Sequence, residues 1–160
     1  MGADLGVSVS PRFWVWASQD PNGAPLDRIQ VIKGWVEDGE QHQRVRDVVC
    51  SSGRLPNADG RCPATTASVD IESCELKGDE GAAQLQQTFT DPDFSPEQNA
   101  FYYVRVLENP TCRWTTLLAN SANEDLPADV PATEQERGWS SPIWLNAGDT
   151  VQSGAVVSAQ

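Results

Sequence analysis

The segment DPDFSPEQNAFYYVRVLENPTCRW, residues 91–114, contains the strongest indication of fold in the chain. In its middle, FYYVRVL (101–107), successive side chains alternate between two sets, which is the pattern of an extended strand. Both sets are largely apolar, whereas an edge strand would present one polar face. The segment therefore predicts a central strand that is packed on both sides.

A turn is predicted immediately before this strand, in DPDFSPEQ (91–98). The prolines restrict φ there and the short polar side chains hydrogen-bond the backbone, so the chain bends sharply into the strand. Asp91, Asp93 and Glu97 also resemble an oxygen cluster for calcium, but the segment lacks the glycine and the distal glutamate of an EF-hand loop. We therefore interpret these carboxylates as turn-forming.

Tyr102, near the start of the predicted strand, has two interpretations. A tyrosine at this place, with apolar residues two and four positions later, is typical of the tyrosine corner of immunoglobulin-like and fibronectin-like sandwiches. Its hydroxyl would then hydrogen-bond the backbone upstream. The alternative is a core tyrosine without a special bond, and the sequence leaves both open.

Other segments of the chain also alternate and are bounded by turn residues. The most regular is a hairpin over residues 28–50, in which Asp38-Gly39 forms the turn. A helix over 81–89 has the propensity but is disfavoured by the turn that follows. The remaining predicted strands are PRFWVWA (11–17), SVDIESCEL (68–76), AQLQQTFTD (83–91) and RGWSSPIWL (137–145), with RWTTLLAN (113–120) as a further strand or short buried run.

About seven or eight short strands without a strong helix predict an all-β, antiparallel, immunoglobulin- or fibronectin-like β-sandwich. The 160 residues suit one core. We expect residues 1–10 to be a lead-in, residues 11–146 to form a single sandwich domain, and residues 147–160 to be a flexible tail. The segment 121–136 is rich in proline, alanine and acids and predicts an exposed loop.

The four cysteines, Cys50, Cys62, Cys74 and Cys112, predict disulfides. Zinc is disfavoured, because the thiols are not at ligand spacing and His42 is the single histidine of the chain. Of the three pairings, we favour Cys50 with Cys62 and Cys74 with Cys112. Disulfides imply an oxidising compartment, so we expect a periplasmic or secreted protein, although the N-terminus shows no signal peptide.

The composition excludes several classes of partner. The chain has 11 Lys and Arg against 23 Asp and Glu, a net charge of −12, which repels phosphate backbones and anionic lipid headgroups. No apolar run is long enough for a transmembrane helix. Nucleic acid and membranes are therefore not expected as partners.

Catalytic patterns are missing from the sequence. There is no G-x-S-x-G, no H-E-x-x-H and no phosphate-binding glycine loop, and His42 lies among polar residues without a nearby nucleophile. No feature selects a carboxylate pair for glycoside hydrolysis. We therefore assign no catalytic residue, metal site or cofactor, and we do not expect an enzyme.

Tryptophan and arginine cluster near the end of the chain, and such residues are enriched at contact surfaces. Alternatively, the tryptophans belong to the core and Arg137 pairs with a neighbouring glutamate, Glu134 or Glu136. The candidate contact residues are Arg113, Trp114, Glu136, Arg137 and Trp139.

Three segments together resemble the C-terminal part of the bacterial family called domain of unknown function 3604: LDRIQVIKGWVEDGE (26–40), FTDPDFSPEQNAFYYVRVLENPTCRWT (89–115) and PATEQERGWSSPIWL (131–145). They occur in the same order, and the resemblance runs from about Pro11 to Leu145. The opening MGADLG also looks like an internal stretch of that family, so Met1 would be an internal methionine of a longer ancestor.

The resemblance implies an exported domain from a larger protein. Members are usually longer and have an upstream His- and Asp-rich portion that is similar to metal-dependent phosphoesterases of the polymerase-and-histidinol-phosphatase type. One histidine cannot supply such a centre, and no catalytic residue of the family falls in the matching segments. The implied function is a non-catalytic accessory β-sandwich whose tryptophan-rich surface packs on a catalytic domain or on another copy.

Two other functions remain open from the sequence. The first is a carbohydrate- or small-ligand-binding module that uses Trp114, Trp139 and Arg137. The second is part of a metal-dependent phosphoesterase.

Overall fold

The computed structural model of the protein describes residues 2–6 and 9–147. The described part has twelve strands and one helix, and eight of the strands are at least three residues long. The elements are β1 (Ala3–Gly6), β2 (Arg12–Ser18), β3 (Leu26–Glu37), β4 (Glu40–Cys50), β5 (Ser68–Val69), β6 (Leu76–Lys77), β7 (Gln84–Thr90), β8 (Ala100–Glu108), β9 (Thr111–Cys112), α1 (Trp114–Ala122), β10 (Thr133–Glu134), β11 (Arg137–Trp139) and β12 (Ile143–Asn146).

The main sheet has the order β1-β12-β8-β3-β4. Strand β8 pairs with β3 on one side and with β12 and β11, one after the other, on its other side. It is thus the central strand that its two apolar faces predicted. Strand β1 lies in the predicted lead-in and pairs in parallel with β12, so the sheet is mixed rather than purely antiparallel.

A second layer is formed by β2 and β7, which pair from Arg12 with Thr90 to Ser18 with Gln84. Side chains of this layer and of the main sheet share one hydrophobic core, in which Val15, Leu85 and Ile29 are buried. The all-β sandwich is therefore confirmed. Its immunoglobulin-like character remains a prediction, and the predicted tail lies, apart from Ala147, outside the described residues.

The β3–β4 hairpin turns at the predicted residues. Asp38 and Gly39 have φ values of 51° and 80°, the positive values that a two-residue hairpin turn requires. Glu37 and Glu40 are the register partners that flank the turn. The hairpin thus follows from local turn chemistry.

The prediction of a strand or short buried run over 113–120 was wrong, because α1 begins at Trp114 and only Thr116 of the helix is buried. Leucine and alanine favour a helix, and the segment lacks the alternation of β8. Asn123 closes the helix in the left-handed conformation, with φ 54°, and the N–H of Glu124 bonds back to the carbonyl of Ala119. The segment therefore does not extend the sheet.

The single strand predicted over 68–76 is also wrong. It is divided into β5 and β6 by a turn at Asp70, whose carboxylate accepts the backbone N–H groups of Glu72 and Ser73. Such side-chain-to-backbone bonds compete with a strand ladder. The alternation of Val69 and Ile71 was therefore overridden by the aspartate between them.

The structure contains disulfides Cys50–Cys62 and Cys74–Cys112, the pairing that the sequence favoured. The first joins the end of β4 to the loop that follows it. The second attaches the β5–β6 turn to β9, directly before α1. Two disulfides indicate an oxidising location outside the cytoplasm. A search of the described residues finds no helix that could span a membrane.

Candidate contact surfaces and an aromatic groove

The predicted contact residues lie on two separate elements. Arg113 and Trp114 stand at the start of α1, whereas Arg137 and Trp139 belong to β11 at the edge of the main sheet. Trp114 is 64% exposed and Trp139 is 59% exposed, so neither tryptophan is part of the core. The backbone carbonyl of Glu136 accepts the N–H of Glu108, which continues the pairing of β11.

The two arginines of this group differ in their partners. Arg113 Nε lies 3.9 Å from Glu134 Oε2, a distant pair between the start of α1 and β10. Arg137 makes no ion pair within the described part of the chain. Of the two interpretations that the sequence left open, the structure excludes a core location for Trp114 and Trp139, and it places them on separate elements with no bond between the two groups of described residues.

Helix α1 presents an apolar face to solvent. Trp114, Leu117 and Leu118 share one side of the helix, because they are three and four positions apart, and each is more than half exposed. We call these three residues the α1 stripe. The opposite side is held in place: Asn120 Nδ2 donates to the carbonyl of Ile71 at 2.8 Å, and Thr116 Oγ1 donates to that of Ala132 at 2.7 Å.

The carboxylates of the β7–β8 turn are neutralised by basic side chains. Asp91 Oδ2 accepts the hydroxyl of Tyr102 at 2.7 Å and lies 2.9 Å from Lys33 Nζ, and all three side chains are buried. Burial, and then the bond to Asp91, raise the pKa of the Tyr102 hydroxyl far above its usual value. Tyr102 thus bonds a residue upstream, as in a tyrosine corner, but its partner is a carboxylate and not the backbone.

The partners of Asp93 are two arginines, whereas those of Asp91 are Lys33 and Tyr102. Asp93 Oδ2 lies 2.5 Å from both Arg46 Nη2 and Arg44 Nη1. Hydrogen bonds from Arg46 and Arg44 hold the pKa of the Asp93 carboxyl below its usual value. The carboxylates of this turn do not converge on a common point, and within the described residues no group of three or more His, Cys, Asp or Glu could hold a metal ion.

A second buried polar network joins the loop after β4 to the sheet. Asp27 is fully buried, and its carboxylate accepts bonds from Arg28 and, at 2.6 Å, from Arg54 Nη2. Arg54 also donates to the carbonyls of Ser51 and Pro63. The network holds the loop that the Cys50–Cys62 disulfide closes. Sequence reasoning missed it, since no local pattern relates Asp27 to a residue in a later loop.

The outer face of the main sheet, opposite the β2–β7 layer, carries a groove of about 830 Å³. Its central row crosses four strands, because Gln43, Gly34, Phe101 and Trp144 are successive register partners. A Cβ built on Gly34 would come within 2.3 Å of the Phe101 ring, so this ring lies across the glycine. We call this feature the aromatic groove.

Three aromatic rings in the groove are contiguous. The centroid of Phe101 is 5.2 Å from that of Trp144 and 6.3 Å from that of Tyr103. Four amide side chains also contribute to the lining, with Gln41 and Gln43 on β4, Asn99 before β8 and Asn146 at the end of β12. The groove therefore combines exposed ring surface with groups that both donate and accept hydrogen bonds.

The described residues that line the groove are uncharged. No Asp, Glu, Lys or Arg is among the described residues that line it. His42 and Trp35 also belong to the lining, but they alternate with Gln43 and Gly34, so their rings, which stack at 5.3 Å, lie on the other face of the sheet. On that face Lys33 Nζ and Arg44 Cζ lie 5.2 and 5.9 Å from the Trp35 ring. Asp4, the register partner of Trp144 on β1, and Arg105, which follows Tyr103 on the same face, lie outside the lining. In a chain with a net charge of −12, this is an unusual stretch of surface.

The sequence did not predict this groove. Its aromatic residues were assigned to strands, and nothing local distinguished Trp144 from the other tryptophans. The one available signal was the glycine in the middle of β3, because a glycine inside a strand indicates the close approach of another group.

Comparison with known proteins gives one result. A family model described as Protein of unknown function (DUF3604) matches residues 1–147. Neither the curated proteins nor the solved structures provide a match.

Proposed function

Because the chain belongs to the DUF3604 family of proteins of unknown function, we propose that it is a single, non-catalytic accessory domain that packs through the α1 stripe on a catalytic domain of a larger exported protein. The observation that carries this proposal is the exposed apolar face of α1. Three large apolar side chains exposed side by side on a helix indicate a contact site, because exposing contiguous apolar surface to water is unfavourable in free energy.

The size of the stripe favours a covalently connected partner over a free one. A stable complex between separate proteins buries about 800 Å² on each side, and three side chains supply only part of that area. Domains within one chain associate through smaller interfaces, since the connection keeps them at about millimolar effective concentration. We therefore favour a neighbouring domain over a second copy of this chain.

The position of the helix is consistent with a fixed contact. The Cys74–Cys112 disulfide and the bonds of Asn120 hold α1 and the β5–β6 turn together. The stripe is thus presented by a rigid element, which lowers the entropy lost on association. The oxidising location indicated by the disulfides supports an exported protein.

The test expresses this chain and the His- and Asp-rich portion of a longer family member as separate polypeptides. Isothermal titration calorimetry then measures their association at concentrations up to about 1 mM, the effective concentration that a covalent connection between the domains would supply. Trp114→Ser and Leu118→Ser are expected to weaken it by about tenfold or more each, since each removes a large apolar contact. Leu55→Ser is the matched control, because Leu55 is 78% exposed but lies in the loop after β4.

Three results would contradict the proposal. The first is the absence of binding by the unmodified chain, and the second is equal binding by the stripe variants and the control. The third is a stable dimer of the chain alone in light scattering that the stripe variants abolish, which would assign the stripe to a second copy.

A separate assay addresses the non-catalytic role. The chain is incubated with a generic phosphoester and with Mg²⁺, Mn²⁺ or Zn²⁺ in turn, and we expect no release of product above the metal alone. Metal-dependent turnover that co-purifies with the chain would instead support the phosphoesterase alternative.

A further inference from the structure

We propose that the aromatic groove is a binding site for neutral saccharides. This inference is independent of the accessory role, because the groove lies on the outer face of the main sheet and shares no residue with the α1 stripe. It also differs from the sugar-binding surface expected from the sequence, which used Trp114, Trp139 and Arg137. None of these three residues lines the groove.

The shape of the groove follows from one missing side chain. Gly34 lets the Phe101 ring lie across β3, and the register places Trp144 on the other side of Phe101. Trp144 remains 47% exposed, so ring surface at this end is open to a ligand. A larger residue at position 34 would push the Phe101 ring out of its place in the row.

The chemistry of the lining matches that of a sugar. One face of a pyranose presents C–H groups, which are attracted to the negative face of an aromatic ring. The hydroxyl groups around the sugar ring both donate and accept hydrogen bonds, and side-chain amides such as those of Gln41, Gln43 and Asn146 do the same. Ligand sites are typically apolar surfaces with a few placed polar groups, as in this groove.

The charge of the lining decides between ligand classes. A phosphate or carboxylate ligand would lose hydration in the groove without gaining a cation among the described lining residues, and such desolvation is costly. A cationic ligand would find no carboxylate in the described lining. A neutral ligand meets neither penalty, which favours neutral sugars over nucleotides, phosphosugars or uronates.

The volume and openness of the groove suit more than a single small molecule. Its volume of about 830 Å³ is in the upper part of the range of about 300–1,000 Å³ for ligand sites. Gln41 and Gln43 are exposed at one end. The groove is therefore open to solvent, and we infer that it holds several units of a polysaccharide chain.

Calorimetric titration of the full chain tests the proposal with defined probes: cellohexaose, maltohexaose, xylohexaose, mannohexaose and laminarihexaose, with hexagalacturonate as the charged comparison. We expect at least one neutral hexasaccharide to bind and hexagalacturonate to bind more weakly. Trp144→Ala should reduce the affinity about tenfold or more, because it removes an aromatic contact.

Two further variants make the test specific to the groove. Gln43→Ala should also weaken binding, since Gln43 lies in the central row but carries no core contact. Trp139→Ala is the matched control, because Trp139 is an exposed tryptophan of the same sheet that lies outside the groove, and it should leave the affinity within about twofold. Circular dichroism confirms that each variant is folded.

The proposal is overturned if no neutral hexasaccharide binds, if Trp144→Ala binds like Trp139→Ala, or if hexagalacturonate binds best. Failure here leaves the accessory role standing, because that role is tested through Trp114 and Leu118. Conversely, loss of domain association in those variants is expected to leave saccharide affinity unchanged.

Discussion

Removal of one buried hydroxyl, by Tyr102→Phe, is expected to destabilise the protein measurably. Tyr102 is 2% exposed, and its hydroxyl donates to Asp91 Oδ2 at 2.7 Å. A hydrogen bond to a charged group contributes about 1.5–3 kcal/mol to stability. Asp91 keeps its ion pair with Lys33 at 2.9 Å, so the loss should stay within that range.

Removal of the cation from the same network should cost more. Lys33→Met leaves the Asp91 carboxylate buried without the ion pair that the structure shows for it. Breaking a buried pair from one side typically costs about 3–5 kcal/mol, because an uncompensated charge remains in the interior. The free energy of unfolding is therefore expected to be highest for the unmodified protein, lower for Tyr102→Phe and lowest for Lys33→Met.

Urea unfolding at pH 7, followed by tryptophan fluorescence and circular dichroism, measures these differences. A shift of the midpoint with an unchanged slope reports a change in stability rather than in the unfolded state. Tyr103→Phe is the matched control, since Tyr103 is the neighbouring tyrosine on the opposite face and its hydroxyl makes no hydrogen bond to the described residues. Its effect should lie within about 0.5 kcal/mol.

The reasoning is refuted if Tyr102→Phe costs no more than Tyr103→Phe, or if Lys33→Met costs less than Tyr102→Phe. Either result would mean that Asp91 is not held in a buried, charge-dependent network.

Three further predictions concern pH, cross-links and backbone. The pKa of Asp93 is lower in the folded than in the unfolded protein, so its ionised carboxylate stabilises the fold fully above the unfolded pKa of about 4, and this stabilisation is lost as the pH falls through the folded pKa. In urea titrations, the stability advantage of the unmodified protein over Asp93→Asn should therefore shrink below about pH 4. Replacement of Cys74–Cys112 by two serines should cost about 4 kcal/mol and replacement of Cys50–Cys62 about 3 kcal/mol in urea unfolding, because the sequence separations are 38 and 12 residues and the longer loop gains more entropy when released. Gly81→Ala should cost about 1–3 kcal/mol in thermal unfolding, since φ is +143° and the added Cβ would lie 2.4 Å from Pro25 Cβ; a variant as stable as the parent would contradict that geometry.

Several features were predictable because their causes are local in the chain. Alternation in β8 identified the central strand, the Asp38-Gly39 pair identified the hairpin turn, and cysteine spacing favoured the observed disulfides. The errors have local causes as well. Asp70 capped a turn where alternation predicted a strand, and the segment after Cys112 formed a helix where its apolar residues suggested a buried strand.

The candidate sites likewise combine features with local causes and features that depend on the tertiary structure. Composition and pattern alone predicted an acidic, disulfide-containing, β-rich chain, since each property depends on residues that are close in sequence or simply counted. The sequence left open whether Trp114 and Trp139 belong to the core, and the tertiary structure decided that both are exposed. The tertiary structure alone decided that Gly34, Phe101 and Trp144 form one row, because strand register joins positions on β3, β8 and β12. It likewise decided that Lys33 neutralises Asp91, since the buried carboxylate requires a cation and no spacing in the sequence predicts which residue supplies it.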